Sequence, residues 1–125
     1  MLNPADPRIV AIVDDDESVR TALLGLLRAT GFPAKAFASA EEFLASNERQ
    51  HVACLIADIR MPGMSGLELQ AELNSRNLRI PTIFITAHGD TNLKMQALRA
   101  GAAEFLLKPF RDDVLLEQVR AALEA

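Results

Sequence analysis

The sequence predicts a doubly wound α/β fold: one five-stranded parallel sheet with five helices packed over its two faces. Three observations carry that expectation. Short apolar runs such as Ile9 to Val13, Ala53 to Ala57 and Ile83 to Ile85 are nearly unbroken, as in strands covered on both faces. Segments of helical periodicity, each with its own start and stop signals, alternate with these runs. Four of the runs end in polar residues: Asp14-Asp15-Asp16, Asp58, Thr86 and Lys108. In a parallel sheet those ends share one edge, where open α/β sheets bind ligands.

Residues 1–7 hold two prolines and no periodicity, and are expected to be a disordered lead-in; residues 8–125 then form one domain. The first strand is Ile9 to Val13. Val19, Leu23, Leu26 and Leu27 follow at helical spacing, and Gly31 provides the stop. A short second strand covers Ala34 to Phe37. Ser39-Ala40-Glu41-Glu42 has the form of a capping box and opens a second helix, with Phe43 and Leu44 facing inward. The third strand, Val52 to Ala57, is followed by a tight turn at Pro62-Gly63. Ser65-Gly66-Leu67-Glu68 then repeats the capping device for the third helix. The fourth strand is Thr82 to Ile85, and Asp90 or Thr91 caps a helix that closes before Gly101. Glu104 to Leu107 is the fifth strand. Asp112 or Asp113 starts the last helix, whose buried stripe is Leu115, Val119, Ala122 and Leu123. Right-handed crossovers leave few topologies, and the flavodoxin-like order 2-1-3-4-5 fits best. It sets strands one and three side by side and brings Asp14 and Asp15 next to Asp58.

Composition narrows the function classes. The 125 residues are half apolar and carry a net charge of -4 with no basic run, so direct nucleic-acid binding by this chain is not expected. The single cysteine, Cys54, excludes an internal disulfide and a cysteine-rich zinc site, and its apolar strand marks it as a small buried hydrophobe. No apolar stretch is long enough to span a bilayer, and no signal peptide is recognisable, so a cytoplasmic location is expected.

The acidic run is the first candidate site. Asp16 and Glu17 are accounted for by an N-cap and a favourable charge in the first helical turn. Asp14 and Asp15 are not, because carboxylates about 4 Å apart repel by several kcal/mol at intermediate dielectric unless a cation compensates. Magnesium suits such a place: it takes one or two carboxylates, keeps its waters and accepts phosphate oxygens. Asp58 is not needed as a cap, since the next helix starts at Ser65 with a cap of its own. A carboxylate at that edge can act as a nucleophile toward phosphorus, forming an acyl phosphate. Thr86 alone reads as a β-branched strand end; in this company it is a hydroxyl donor for a phosphoryl oxygen. Lys108 alone reads as a solvated flank; at the edge its ammonium can pair with Asp58 and then with the phosphoryl group. A cis bond before Pro109 would aim it inward. Phe105 reads first as a core residue, His88 as a loop residue, His51 as a surface residue, and Met61 and Met64 as loop packing.

Together these residues resemble the receiver domain of two-component response regulators, the CheY-like fold, across residues 8 to 124. The motifs are Val-Asp-Asp-Asp at 13–16, Asp-Ile-Arg-Met-Pro-Gly-Met-Ser-Gly at 58–66, Thr-Ala-His-Gly-Asp at 86–90 and Phe-Leu-Leu-Lys-Pro-Phe at 105–110. The phrasing of the second and third is closest to the FixJ-type branch, whose members usually carry a C-terminal helix-turn-helix. The resemblance implies that Asp58 accepts a phosphoryl group from a phosphohistidine on a sensor histidine kinase. Asp15, Asp58 and the main-chain carbonyl of Arg60 would bind magnesium or manganese, with Asp14 acting through water. Lys108 and Thr86 would hold the phosphoryl oxygens. Thr86 would move toward the phosphate and let Phe105 rotate inward, changing the surface of helix four, strand five and helix five and allowing a homodimer there. Such a chain is not an enzyme in the usual sense; it catalyses at most its own phosphorylation and dephosphorylation.

Three alternatives bear on that expectation. A haloacid-dehalogenase-like phosphatase also uses an aspartyl nucleophile with magnesium, but wants a second acid two residues on, where this chain has Arg60. A flavin-binding module wants a Ser/Thr/Gly-rich phosphate loop after the first strand, where this chain has carboxylates, and it lacks Trp and Tyr for stacking. Within the family, a stand-alone receiver acting through protein contacts competes with the regulatory half of a transcription factor.

Overall fold

Each apolar run forms the strand expected of it. The computed structural model describes residues 8–87 and 91–124. Its elements run β1 (Ile9–Val13), α1 (Glu17–Ala29), β2 (Ala34–Phe37), α2 (Ala40–Ala45), β3 (Val52–Asp58), α3 (Gly66–Ser75), β4 (Thr82–Thr86), α4 (Thr91–Arg99), β5 (Glu104–Leu107) and α5 (Asp112–Glu124). The five strands make one sheet in the order β2-β1-β3-β4-β5, and every neighbouring pair is parallel. The expected doubly wound topology is present, with its reversal between β1 and β3. The lead-in at residues 1–7 and the readings of His88 and Asp90 lie outside the described residues.

Strand alternation sorts the core into two layers. Ile9, Ala11 and Val13 of β1, with Leu55 and Ala57 of β3 and Phe84 of β4, face α2, α3 and α4 through Phe43, Leu69, Leu73 and Ala97. Val10, Ile12, Cys54, Ile56, Ile83 and Ile85 face the other way, against Leu23 and Leu27 of α1 and Leu115, Val119 and Ala122 of α5. Burying a leucine or phenylalanine side chain contributes roughly 1.5–3 kcal/mol, so these two layers supply most of the drive to fold. The predicted stripe of α5 is buried apart from Leu123, which is only half-buried.

The structure departs from expectation in local detail. β3 and β4 each run one residue further, so Asp58 and Thr86 sit inside the ladder, opposite Ile85 and Leu107. A 3-10 turn at Arg49–His51 precedes β3, and it encloses the Nδ1 atom of His51, which is half-buried rather than on the surface. At α2 only half of the capping box forms: Ser39 Oγ accepts the Glu42 N–H at 3.0 Å. At α3 the box is complete, because Ser65 Oγ accepts the Glu68 N–H and Glu68 accepts the Ser65 N–H.

One glycine ties this architecture to the edge where Asp58 ends. Gly66 opens α3 directly against the main chain of Asp58 and Ile59, donating its N–H to the Ile59 carbonyl at 2.9 Å. A methyl group there would collide with the Asp58 carbonyl oxygen and the Ile59 Cα, both backbone atoms with little freedom to move. Gly66→Ala is therefore expected to destabilise the fold by about 1–3 kcal/mol, measured by urea unfolding; an unchanged midpoint would mean that α3 is free to slide off the strand end.

Candidate functional site

Parallel pairing brings the four polar strand ends together. Val13 pairs with Ala57, Asp58 with Ile85 and Thr86 with Leu107, so the residues that end or follow β1, β3, β4 and β5 line one edge. The Lys108 Nζ lies 3.3 Å from Asp14 Oδ2 and 3.4 Å from Asp58 Oδ2, joining groups that are 94 and 50 positions apart in the chain. The Lys108 N–H donates to the Thr86 carbonyl at 2.7 Å, which continues the ladder to the lysine itself. The peptide bond between Lys108 and Pro109 is cis, as expected.

Asp14 is fully buried, and both of its carboxylate oxygens are engaged: Oδ1 accepts the Asp16 N–H at 2.9 Å and Oδ2 meets Lys108. Asp58 is 9% exposed; its Oδ1 accepts the Arg60 N–H at 3.2 Å and its Oδ2 meets Lys108. Asp15 faces solvent. Oxygens from Asp14, Asp15 and Asp58 all fall within 4.8 Å of one another, a span that one divalent cation can bridge. Three carboxylates facing one ammonium, with oxygen donors only, are the ligand set that a hard divalent cation prefers.

The charges leave their mark on proton affinities. Burial pushes the Asp14 carboxyl above the ordinary aspartate value and the Asp58 charge adds to the effect, while the Asp16 N–H and Lys108 pull against it. Burial works to lower the Lys108 amine, but the charges of Asp14 and Asp58 outweigh it and hold the amine above the usual lysine value. Asp16 behaves as the cap it was expected to be: Ser18, donating from its hydroxyl at 2.6 Å and its N–H at 2.9 Å, holds the carboxyl below its usual range. Cys54 takes no part, since burial pushes its thiol up to about 12.

The remaining expected residues fall as follows. Thr86 is buried at the end of β4. Phe105 on β5 is 7% exposed and packs into the layer that holds Phe84 and Ala97. Its ring is thus already inward. Arg60 is exposed, next to Asp58 on the loop that leads to α3. Sequence reasoning missed Arg20, whose guanidinium donates to the Asp14 carbonyl at 2.7 Å and brings a second positive charge to the rim of the cluster. The signal for it was a basic residue one helical turn past four consecutive acids.

The family model described as response regulator receiver domain matches residues 10–120. Nodulation protein W of Bradyrhizobium diazoefficiens is 48% identical over 116 residues, covering 93% of this chain and 51% of that protein. The transcriptional regulatory protein FixJ of Rhizobium meliloti is 44% identical over 115 residues, covering 92% of this chain and 56% of its own length. The chain spans about half the length of the curated relatives it matches. The crystal structure of FixJ-N superposes with a TM-score of 0.84 at 43% identity, covering 95% of this chain and 94% of that one.

The raised proton affinity of Asp14 has a measurable consequence. A carboxyl whose folded value is raised costs stability once it ionises, so the cost is absent below the unfolded value of 3.8 and grows as pH rises through the folded one. Without divalent cations, Asp14→Asn is expected to be more stable than the wild type at pH 7 and to lose that advantage as pH falls below 3.8. Urea unfolding across a pH series reads this directly; a loss of stability at neutral pH would mean that the pair with Lys108 outweighs burial.

Proposed function

Because the chain belongs to the response regulator receiver domain family, we propose that it accepts a phosphoryl group on Asp58 from a phosphohistidine of a sensor histidine kinase. The observation that supports this most strongly is the contact of Lys108 Nζ with Asp58 Oδ2 at the mouth of the acidic cluster. Asp58 is held by the Arg60 N–H and by Lys108, and keeps enough exposure to meet an incoming phosphorus atom. As its oxygen bonds to phosphorus, the bond from phosphorus to the donor imidazole breaks. Lys108 then follows the new charge onto the phosphoryl oxygens, and the Thr86 hydroxyl donates to another of them, a stabilisation of developing charge common to phosphoryl transfer.

A magnesium or manganese ion held by Asp15, Asp58 and the Arg60 carbonyl would offset the charge that gathers on those oxygens. Asp14, fully buried where Asp58 keeps some exposure, fits the indirect role through water. The chain is then a regulatory phosphoacceptor that promotes only its own phosphorylation and dephosphorylation. No helix among the described residues is long and apolar enough to cross a membrane, which is compatible with a partner kinase met in the cytoplasm.

Phosphorylation acts on the output through Thr86 and Phe105. The Phe105 ring is already buried, so a phosphoryl group that draws Thr86 toward it would hold the ring inward rather than pull it there. The equilibrium shifts only by the contacts that differ between the two states. Met95 and Leu98 on α4 and Leu107 on β5 are large apolar side chains left exposed, with Leu107 half open to solvent. They support a homodimer through α4, β5 and α5 on phosphorylation. The similarity to a transcriptional regulator of which the match covers 56% favours control of a C-terminal DNA-binding domain over a stand-alone receiver.

Two measurements test this. Intact mass after incubation with a small phosphodonor should rise by one phosphoryl group in the wild type only when magnesium is present. Asp58→Asn should show no gain while keeping its fold, and a gain in that variant would move the acceptor elsewhere. Sedimentation of the phosphorylated chain should show a dimer where the unmodified chain is monomeric; an unchanged monomer would remove the α4, β5 and α5 surface as a dimer contact.

A further inference from the structure

The loop from Ile59 to Ser65 holds Arg60, whose N–H donates to Asp58 Oδ1, and its two ends are well fixed. The Ile59 N–H donates to the Ile85 carbonyl at 3.3 Å, and the Gly66 N–H donates back to the Ile59 carbonyl at 2.9 Å. Its far side is tied to a different element. The Met64 N–H donates to Glu41 Oε2 at 3.2 Å, joining the loop to the first turn of α2 across 23 positions. Gly63 makes this possible in two ways. Its φ of +74° turns the chain, and a Cβ there would fall in the space that the Glu41 carboxylate occupies. Glu41 is not needed to cap α2, since Ser39 does that by accepting the Glu42 N–H.

We propose that Glu41 is a positioning residue for the phosphoryl site: its carboxylate clasps the loop at Met64 and so holds the Arg60 carbonyl where a divalent cation can use it. This role rests on the function proposed above. The clasp works through an acceptor oxygen on a main-chain N–H, so geometry matters rather than net charge. Glutamine can keep that oxygen, whereas alanine removes it. Groups that orient metal ligands from outside the coordination sphere typically change affinity by about 10- to 100-fold when lost, and the exposure of Glu41 sets the expectation at the lower end.

Amide-resolved NMR on the intact chain reads both halves of the proposal in one sample: exchange of the Met64 amide reports the clasp, and titration with magnesium chloride reports cation affinity. Glu41→Ala is expected to speed Met64 exchange and weaken magnesium binding about tenfold, while Glu41→Gln stays near the wild type in both. Glu42→Ala, which removes the same charge one residue further on, is expected to leave both unchanged. Faster exchange with unaltered affinity would overturn the positioning role and leave a surface contact. Equal losses in Glu41→Gln and Glu41→Ala would overturn the clasp in favour of charge alone, as would a matching loss in Glu42→Ala. Absence of magnesium binding in the wild type would overturn the functional reading itself, and this role with it.

Discussion

An electrostatic imbalance governs the carboxyl edge of the sheet: Asp14, Asp15 and Asp58 bring oxygens within 4.8 Å of one another, and Lys108 reaches two of them. Like charges that close are costly when partly removed from water. The fold tolerates them because Asp15 stays in solvent and the two buried carboxylates are held by directed donors. Asp14 has the Asp16 N–H and the ammonium, and Asp58 has the Arg60 N–H and the same ammonium. Among the described residues the contacts at this edge leave negative charge in excess, and a divalent cation would offset it.

The sheet makes this imbalance possible. A parallel sheet buried on both faces puts four strand ends from distant parts of the chain on one edge, and hydrophobic packing below the edge holds them there. The apolar layers on each face fix the register, since a slip by one residue would turn every buried side chain toward the wrong layer. Gly66 then lets α3 start against the main chain of Asp58 and Ile59. The loop between them is short enough to be steered from both ends, and Glu41 reaches its far side from α2. Stability and site geometry are therefore not separable here: the same backbone contacts serve both.

Much of this was legible in the sequence because it rests on local pattern plus one topological rule. Unbroken apolar runs gave the strands, the periodic stripes gave the helices, and right-handed crossovers gave the strand order that joins Asp14 to Asp58. Lys108 could be placed because it ends the fifth strand. Features that depend on side-chain reach across the fold were not legible. Lys108 divides itself between two carboxylates and Glu41 spans to Met64, and neither follows from spacing; for Arg20, which bends back to the Asp14 carbonyl, its place one turn past the acids was a hint but not a contact. The capping sequence before α2 misled in part, because Glu42 has the right position for a return bond and does not make it. His51 was expected at the surface, but it is half-buried, with its Nδ1 atom enclosed beside the 3-10 turn. Tertiary packing overrides local preference in each case.

The acidic cluster at this edge is compatible with a divalent cation, and a bound cation would separate a site from merely tolerated charge. The most direct test is the unfolding free energy of the unphosphorylated chain as magnesium is added, compared with sodium chloride at equal ionic strength. A ligand that binds only the folded state raises stability by mass action, whereas general screening does not distinguish the two salts. A saturable rise with magnesium is expected in the wild type, absent with sodium chloride and strongly reduced in Asp58→Asn. Identical curves for the two salts would contradict it, and would leave the acidic cluster as a strained feature of the fold with no cation to serve.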